Sequence, residues 1–167
     1  MRVALVLLLC ACHPSRDDGP PRDTRPQDSV RRETGDTGAA RFADVVAVAW
    51  TGSEGAWTFT VTLRSPDVDC KQYADWWELV SPEGQLVYRR ILDHSHPDEQ
   101  PFARSGDPVD VAQDQALVVR GHMNGAGYGG VAFTGSMASG FAADPAITAT
   151  FAAALAEQEP QPEDCLF

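Results

Sequence analysis

Apolar and polar residues alternate with a period of two through most of the chain after residue 40. Residues Asp44 to Gly52, "DVVAVAWTG", and Gly55 to Pro66, "GAWTFTVTLRSP", are strand-like. In the second, Trp57, Phe59, Val61 and Leu63 alternate with Thr58, Thr60, Thr62 and Arg64, the pattern of an antiparallel strand with one buried face. "TGSEG", Thr51 to Gly55, supplies the turn between them. "QYADWWELVSPEGQLVYRRIL" predicts a hairpin whose loop is Ser81 to Gly84, with proline at the favoured turn position and glycine closing it. "DPVDVAQDQ" predicts a short strand and a turn. "ALVVRGHMN" and "YGGVAFTGS" predict two more strands around the turn "GAG". From Asp144 the period changes. Asp144 can cap and Pro145 can open a short helix that places Ile147, Phe151 and Leu155 on one face, although Ile147, Thr148 and Thr150 would also suit a final strand.

About seven short strands with regularly spaced turn signals predict an all-β fold. The expected architecture is an immunoglobulin-like or fibronectin-like antiparallel β-sandwich with a short C-terminal helix. Trp76 or Trp77 could take the place of the buried tryptophan of the third strand. Being adjacent, they face opposite sides of a strand, so one enters the core and the other needs different cover. An exposed one, with Trp57, Tyr73 or Tyr128, could form a platform for a sugar or peptide. The alternative is burial under the C-terminal helix or beside the loop that follows Leu92.

The chain divides into three parts. Arg2 followed by the apolar run Val3–Leu9 reads as an export signal, too short to span a bilayer as a helix. "LCAC" then places Leu9 three residues and Ala11 one residue before Cys12. This resembles the lipobox of bacterial lipoproteins. The resemblance implies cleavage after residue 11 and lipid on Cys12. His13 in place of aspartate implies an outer-membrane or cell-surface destination. An ordinary secretory leader with two incidental cysteines is the alternative. Residues 12–40 hold five arginines, six acidic residues, four prolines and a single valine among residues 13–40. So little apolar surface predicts a disordered tether. Residues 41–167 form the remaining domain. It contains Cys70 and Cys165, an even pair in an exported chain, which predicts one disulfide closing a long loop.

This domain carries seven basic and eighteen acidic residues, so the chain's whole net charge of −11 falls within it. Clustered lysine and arginine for phosphate contacts are absent, which argues against nucleic acid and against anionic membrane surface as partners. Membrane contact is expected through the lipid alone, and a protein, sugar or metal ligand remains open.

The candidate chemistry centres on "RRILDHSHPDEQPF", Arg89 to Phe102. His94 and His96 would share a face of an extended chain. His122, from the strand "VVRGHMN", could complete a zinc or copper site, with Glu99 or Asp93 in support. The alternative is a polar loop whose imidazoles bond to backbone and carboxylates. Ser95, Ser136 and Ser139 lie in no Gly-x-Ser-x-Gly turn. The glycine-rich "NGAGYGG" lacks the lysine of a phosphate loop. No enzyme signature stands out, which leaves a small envelope hydrolase the least supported reading. The stretch from Cys70 to Gly106 resembles a group of exported bacterial proteins, a resemblance that implies no activity. A lipid-anchored envelope module with a binding or structural role is therefore expected, with metal binding as the alternative.

Overall fold

The computed structural model describes residues 41–166. The expected leader, Cys12 and tether lie outside the described residues. Eight strands run in the order β1 Asp44–Ser53, β2 Ala56–Arg64, β3 Ala74–Val80, β4 Leu86–Ile91, β5 Phe102–Ser105, β6 Leu117–Met123, β7 Phe133–Ser136 and β8 Gly140–Ala143. They form two antiparallel sheets, β1-β2-β5 and β4-β3-β6-β7-β8. Placing the first, second and fifth strands in one sheet and the fourth, third, sixth and seventh in the other is the arrangement expected of an immunoglobulin-like or fibronectin-like sandwich.

The alternation read from the sequence fixes the inner faces. Phe59, Val61 and Leu63 of β2 meet Trp77 and Leu79 of β3 and Leu117, Val119 and Met123 of β6 in one buried cluster. Trp77 is fully buried there and is the core tryptophan of the third strand. Gly121 of β6 has a structural reason to be glycine. A β-carbon there would stand 2.8 Å from that of Ala43, so the residue lets the start of β1 approach the second sheet closely.

Strands β3 and β6 are buried along their whole length, on both faces. One face looks into the core. The other is covered by residues 144–160, and there the structure departs from expectation. The expected helix is a series of turns followed by a 3-10 helix, Ala153–Glu157. The i-to-i+3 bonds Ile147 N to Asp144 O, Phe151 N to Thr148 O, Leu155 N to Ala152 O and Gln158 N to Leu155 O replace a helical ladder. The carbonyls of Phe151, Ala152, Leu155, Gln158 and Pro160 also accept from two arginines of the sheet, those of Ala152 and Leu155 while keeping their i-to-i+3 bonds. Ile147, Phe151 and Leu155 still face the sheet, packing with Val80, Leu86, Val118 and Ala132. We call this segment the strap.

Two four-residue strands, β5 and β8, escaped the sequence pattern, whereas the equally short β7 was read within the longer run Tyr128–Ser136. The stretch at Asp107–Gln115 is an irregular loop that contributes one bridge, Trp57 to Val109. Tyr128–Ala132 is likewise irregular, and β7 begins only at Phe133.

Cys70 and Cys165 are joined, as the cysteine pattern predicts, across 95 residues of sequence. Beside the staple, the Leu166 amide donates to the Asp93 carbonyl at 2.6 Å. By loop-closure entropy such a crosslink is worth about 5 kcal/mol at most. Replacing Cys165 with serine is expected to lower the unfolding free energy by up to that amount, seen as a lower denaturant midpoint, while the far-ultraviolet spectrum of the folded state stays unchanged. An unchanged midpoint would show that the staple adds nothing to stability.

Candidate functional site

The outward-facing residues of β3 meet the neighbouring strands in rows set by register. Glu78 stands between Arg89 of β4 and Arg120 of β6, and Trp76 between Ile91 and His122. Residues directly opposite across a ladder touch, so these rows are side-chain clusters. Glu78 is completely buried. Its Oε2 accepts from Nε and Nη2 of Arg89 at 2.9 and 2.7 Å, and its Oε1 from Nε of Arg120 at 2.8 Å, with Nη2 of Arg120 in ion-pair contact at 2.7 Å. Each guanidinium then spends its outer N–H groups on the strap. Arg89 donates to the carbonyls of Leu155, Gln158 and Pro160, and Arg120 to those of Phe151 and Ala152.

Aromatic rings enclose the row. The Arg89 guanidinium lies 4.3 Å from the centroid of Trp76, and that of Arg120 lies 3.5 Å from the centroid of Tyr128. His122 stacks on Trp76 with centroids 3.7 Å apart and planes 5° from parallel. Its Nδ1 sits 2.7 Å from Oδ1 of Asp75, which anchors the imidazole. Burial, and next the charge of Glu78, push the Tyr128 hydroxyl up to about 12. The candidate platform tryptophans are thus both covered, Trp77 by the core and Trp76 by Arg89 and His122. The second needed its cover, as the adjacency implies, and the strap's arginine anchor provides it.

His94 and His96 occupy the loop between β4 and β5. Their ring centroids are 4.4 Å apart. His94 is exposed, whereas His96 is 4% exposed and stacks on Phe102 with centroids 4.0 Å apart. Neither ring nitrogen of His96 has a hydrogen-bond partner. Burial lowers its pKa, with the charge of Arg104 next in effect, so the neutral form is favoured. The loop is pinned through its backbone. The buried Asp67 accepts the His96 amide on Oδ2 at 2.9 Å, and the Gln100 amide nitrogen donates to the His96 carbonyl at 3.0 Å. Glu99 instead turns to Arg104 of β5 at 2.7 Å, a bond that holds its carboxyl below the usual range.

The structure therefore brings His94 and His96 together and gives His122 a separate setting among Asp75, Trp76 and Tyr128. Among the described residues, no three of the histidine, cysteine, aspartate and glutamate side chains are gathered in position for a metal ion. Asp67 and Phe102, which line the histidine loop, were missed by the sequence reading. So was the Arg89–Glu78–Arg120 row. Its signal was present: a charged residue at the centre of "WWELV", facing outward with an arginine at the matching position of each neighbouring strand.

Over 102 residues, covering 60% of this chain and 50% of the relative, the sequence is 39% identical to a protein of Halomicrobium mukohataei described as "Putative lipoprotein". The chain spans about half the length of that relative. A match of this length is longer than the 40 residues before the sandwich, so it reaches into the folded domain. The description agrees with a lipoprotein-like protein. No family model and no solved structure matches the chain. Among the described residues, no helix is long and apolar enough to cross a membrane.

Two outcomes are expected. Glu78→Leu leaves two buried guanidinium groups facing each other and is expected to cost about 3–5 kcal/mol, measured by chemical denaturation. A loss below about 1 kcal/mol would show that the row is not a buried, coupled unit. For Tyr128, the folded state holds its proton beyond the ordinary value of 10.0, to about 12. Stability from this group is therefore intact below pH 10 and declines as pH rises from 10 towards 12. In an absorbance titration Tyr128→Phe should remove the latest tyrosine to ionise. A titration whose last step is unaltered by the substitution would contradict the assignment.

Proposed function

We propose that this chain is a lipid-anchored module of the cell envelope, whose β-sandwich has a binding or structural role. In this reading residues 1–11 direct export and are removed, Cys12 carries the lipid, and residues 12–40 tether the domain to the outer membrane or cell surface. The observation that carries the reading is the motif Leu9-Cys10-Ala11-Cys12 after a charged start and an apolar run. The description of the relative as a lipoprotein supports it independently, since that match extends beyond the leader. The disulfide is consistent with an exported domain, because such bonds persist in oxidising compartments. The domain's net charge of −11 favours attachment through lipid over direct adhesion to an anionic surface.

Fractionation of cells expressing the full chain tests the proposal. The protein is expected in the detergent-soluble membrane fraction, and mass spectrometry of its N-terminal peptide should begin at Cys12 with added acyl mass. Cys12→Ala should move the protein out of that fraction. A native protein that starts at another residue, carries no lipid and stays soluble would overturn the proposal.

A further inference from the structure

The histidine loop holds an arrangement that hydrogen bonding leaves incomplete. His96 is buried, its side chain is 2% exposed, and neither ring nitrogen is bonded. A neutral imidazole always carries one N–H and one lone pair. Burying both without partners is costly, and such a group calls for an explanation. The nearest carboxylate is that of Asp67, whose side chain is 0% exposed. Its Oδ1 accepts from the Ser65 hydroxyl and the Ala74 amide, and its Oδ2 from the His96 amide. No arginine or lysine bridges to Asp67 among the described residues.

The Oδ2 of Asp67 stands 3.7 Å from Nδ1 of His96. That is too long for a hydrogen bond. It is close to another geometry. Metal–nitrogen and metal–oxygen bonds to zinc are each about 2.0–2.2 Å, so two ligands sharing one ion at the tetrahedral angle stand roughly 3.3–3.6 Å apart. The observed spacing lies within about 0.1 Å of that range, near what an imidazole and a carboxylate on one cation require. A third donor is at hand on the solvent side. His94 is exposed, its ring centroid is 4.4 Å from that of His96, and no hydrogen bond fixes its ring among the described residues. The two inner donors are already positioned by the folded backbone, and only the surface histidine has to turn inward.

We infer that Asp67 and His96, joined by His94 once its exposed ring turns inward, form a binding site for a first-row divalent cation of the zinc or copper(II) class. This explains three features together: the unbonded imidazole, the buried carboxylate without a cationic partner, and the pairing of two histidines at i and i+2. A mixed nitrogen and oxygen donor set with one carboxylate suits these ions, and the acidic domain draws cations towards it. The inference is independent of the lipid anchor and does not use His122 or Glu99, which are occupied by Asp75 and Arg104. The ion would tie the β2–β3 connection, which carries Asp67, to the β4–β5 loop, beside the Cys70–Cys165 staple.

The test is a calorimetric titration of the purified full chain, disulfide intact and in detergent, with zinc chloride and with copper(II) chloride. One ion per domain is expected, with a dissociation constant of about 10 μM or tighter. His94→Ala and Asp67→Asn should each weaken binding by about tenfold or more, whereas His122→Ala should leave it unchanged. His94 is on the surface, so its replacement keeps the test sound even if Asp67→Asn impairs folding. Proton resonances of the His96 ring should shift on adding zinc, and those of His122 should not. No saturable binding up to about 1 mM, or binding that survives His94→Ala, would overturn the inference. So would binding lost on His122→Ala. A soluble, unlipidated protein that still binds the ion would refute the anchor alone, so the two proposals fail separately.

Discussion

The polar attachment of the strap to the larger sheet depends on one buried carboxylate. Glu78 is enclosed by Arg89 and Arg120, and the remaining donors of both guanidinium groups end on backbone carbonyls of the strap. A buried charge is tolerated only when paired and fully bonded. Glu78 meets that condition with three charge-assisted hydrogen bonds and a further close ion-pair contact, and the arginines meet it through the strap. The dependence runs both ways. Without the strap the guanidinium groups lose their carbonyl partners, and without Glu78 the strap loses its anchor. Five carbonyls of the strap are bonded to arginine, two of them while also closing i-to-i+3 turns. The row thus fixes the attachment of the C-terminal segment.

The same covering explains why an antiparallel sheet has two central strands buried on both faces. Ordinarily such a sheet presents one face to water. Here the strap's Ile147, Phe151 and Leu155 close that face at one end, while Trp76, His122 and the arginine row fill the rest. The disulfide at Cys165 then fixes the chain beyond the strap to the connection that precedes β3. The covalent staple and the ionic clamp act on successive parts of one segment, and together they leave the terminus little freedom.

The two-sheet fold was legible because its long strands alternate cleanly. In β2, Phe59, Val61 and Leu63 point inward as their spacing requires, and the Ser81–Gly84 turn pairs β3 with β4. Strands β5 and β8 were hidden because each is four residues with no longer apolar run around it, unlike the equally short β7, which ends the run Tyr128–Ser136. The strap misled for a different reason. Asp144, Pro145 and the spacing of its apolar residues are genuine helix signals, and those residues do face the sheet. What local sequence could not reveal was the bonding of its carbonyls to arginines roughly thirty and seventy positions away. The site was partly readable in the same sense. His94 and His96 meet as their spacing suggests. Asp67, nearly thirty residues upstream, is brought to them by the turn into β3, a relation that exists only in the fold.

Hydrogen exchange of the intact protein, followed by mass spectrometry, tests most directly whether the strap belongs to the cooperative structure through its arginine anchors. Peptides covering Ile147 to Gln158 are predicted to exchange nearly as slowly as those from β3 and β6, and to lose that protection in Arg120→Ala while the β2 peptides keep theirs. A strap that exchanges in the native protein at the rate of an unstructured chain would contradict the account.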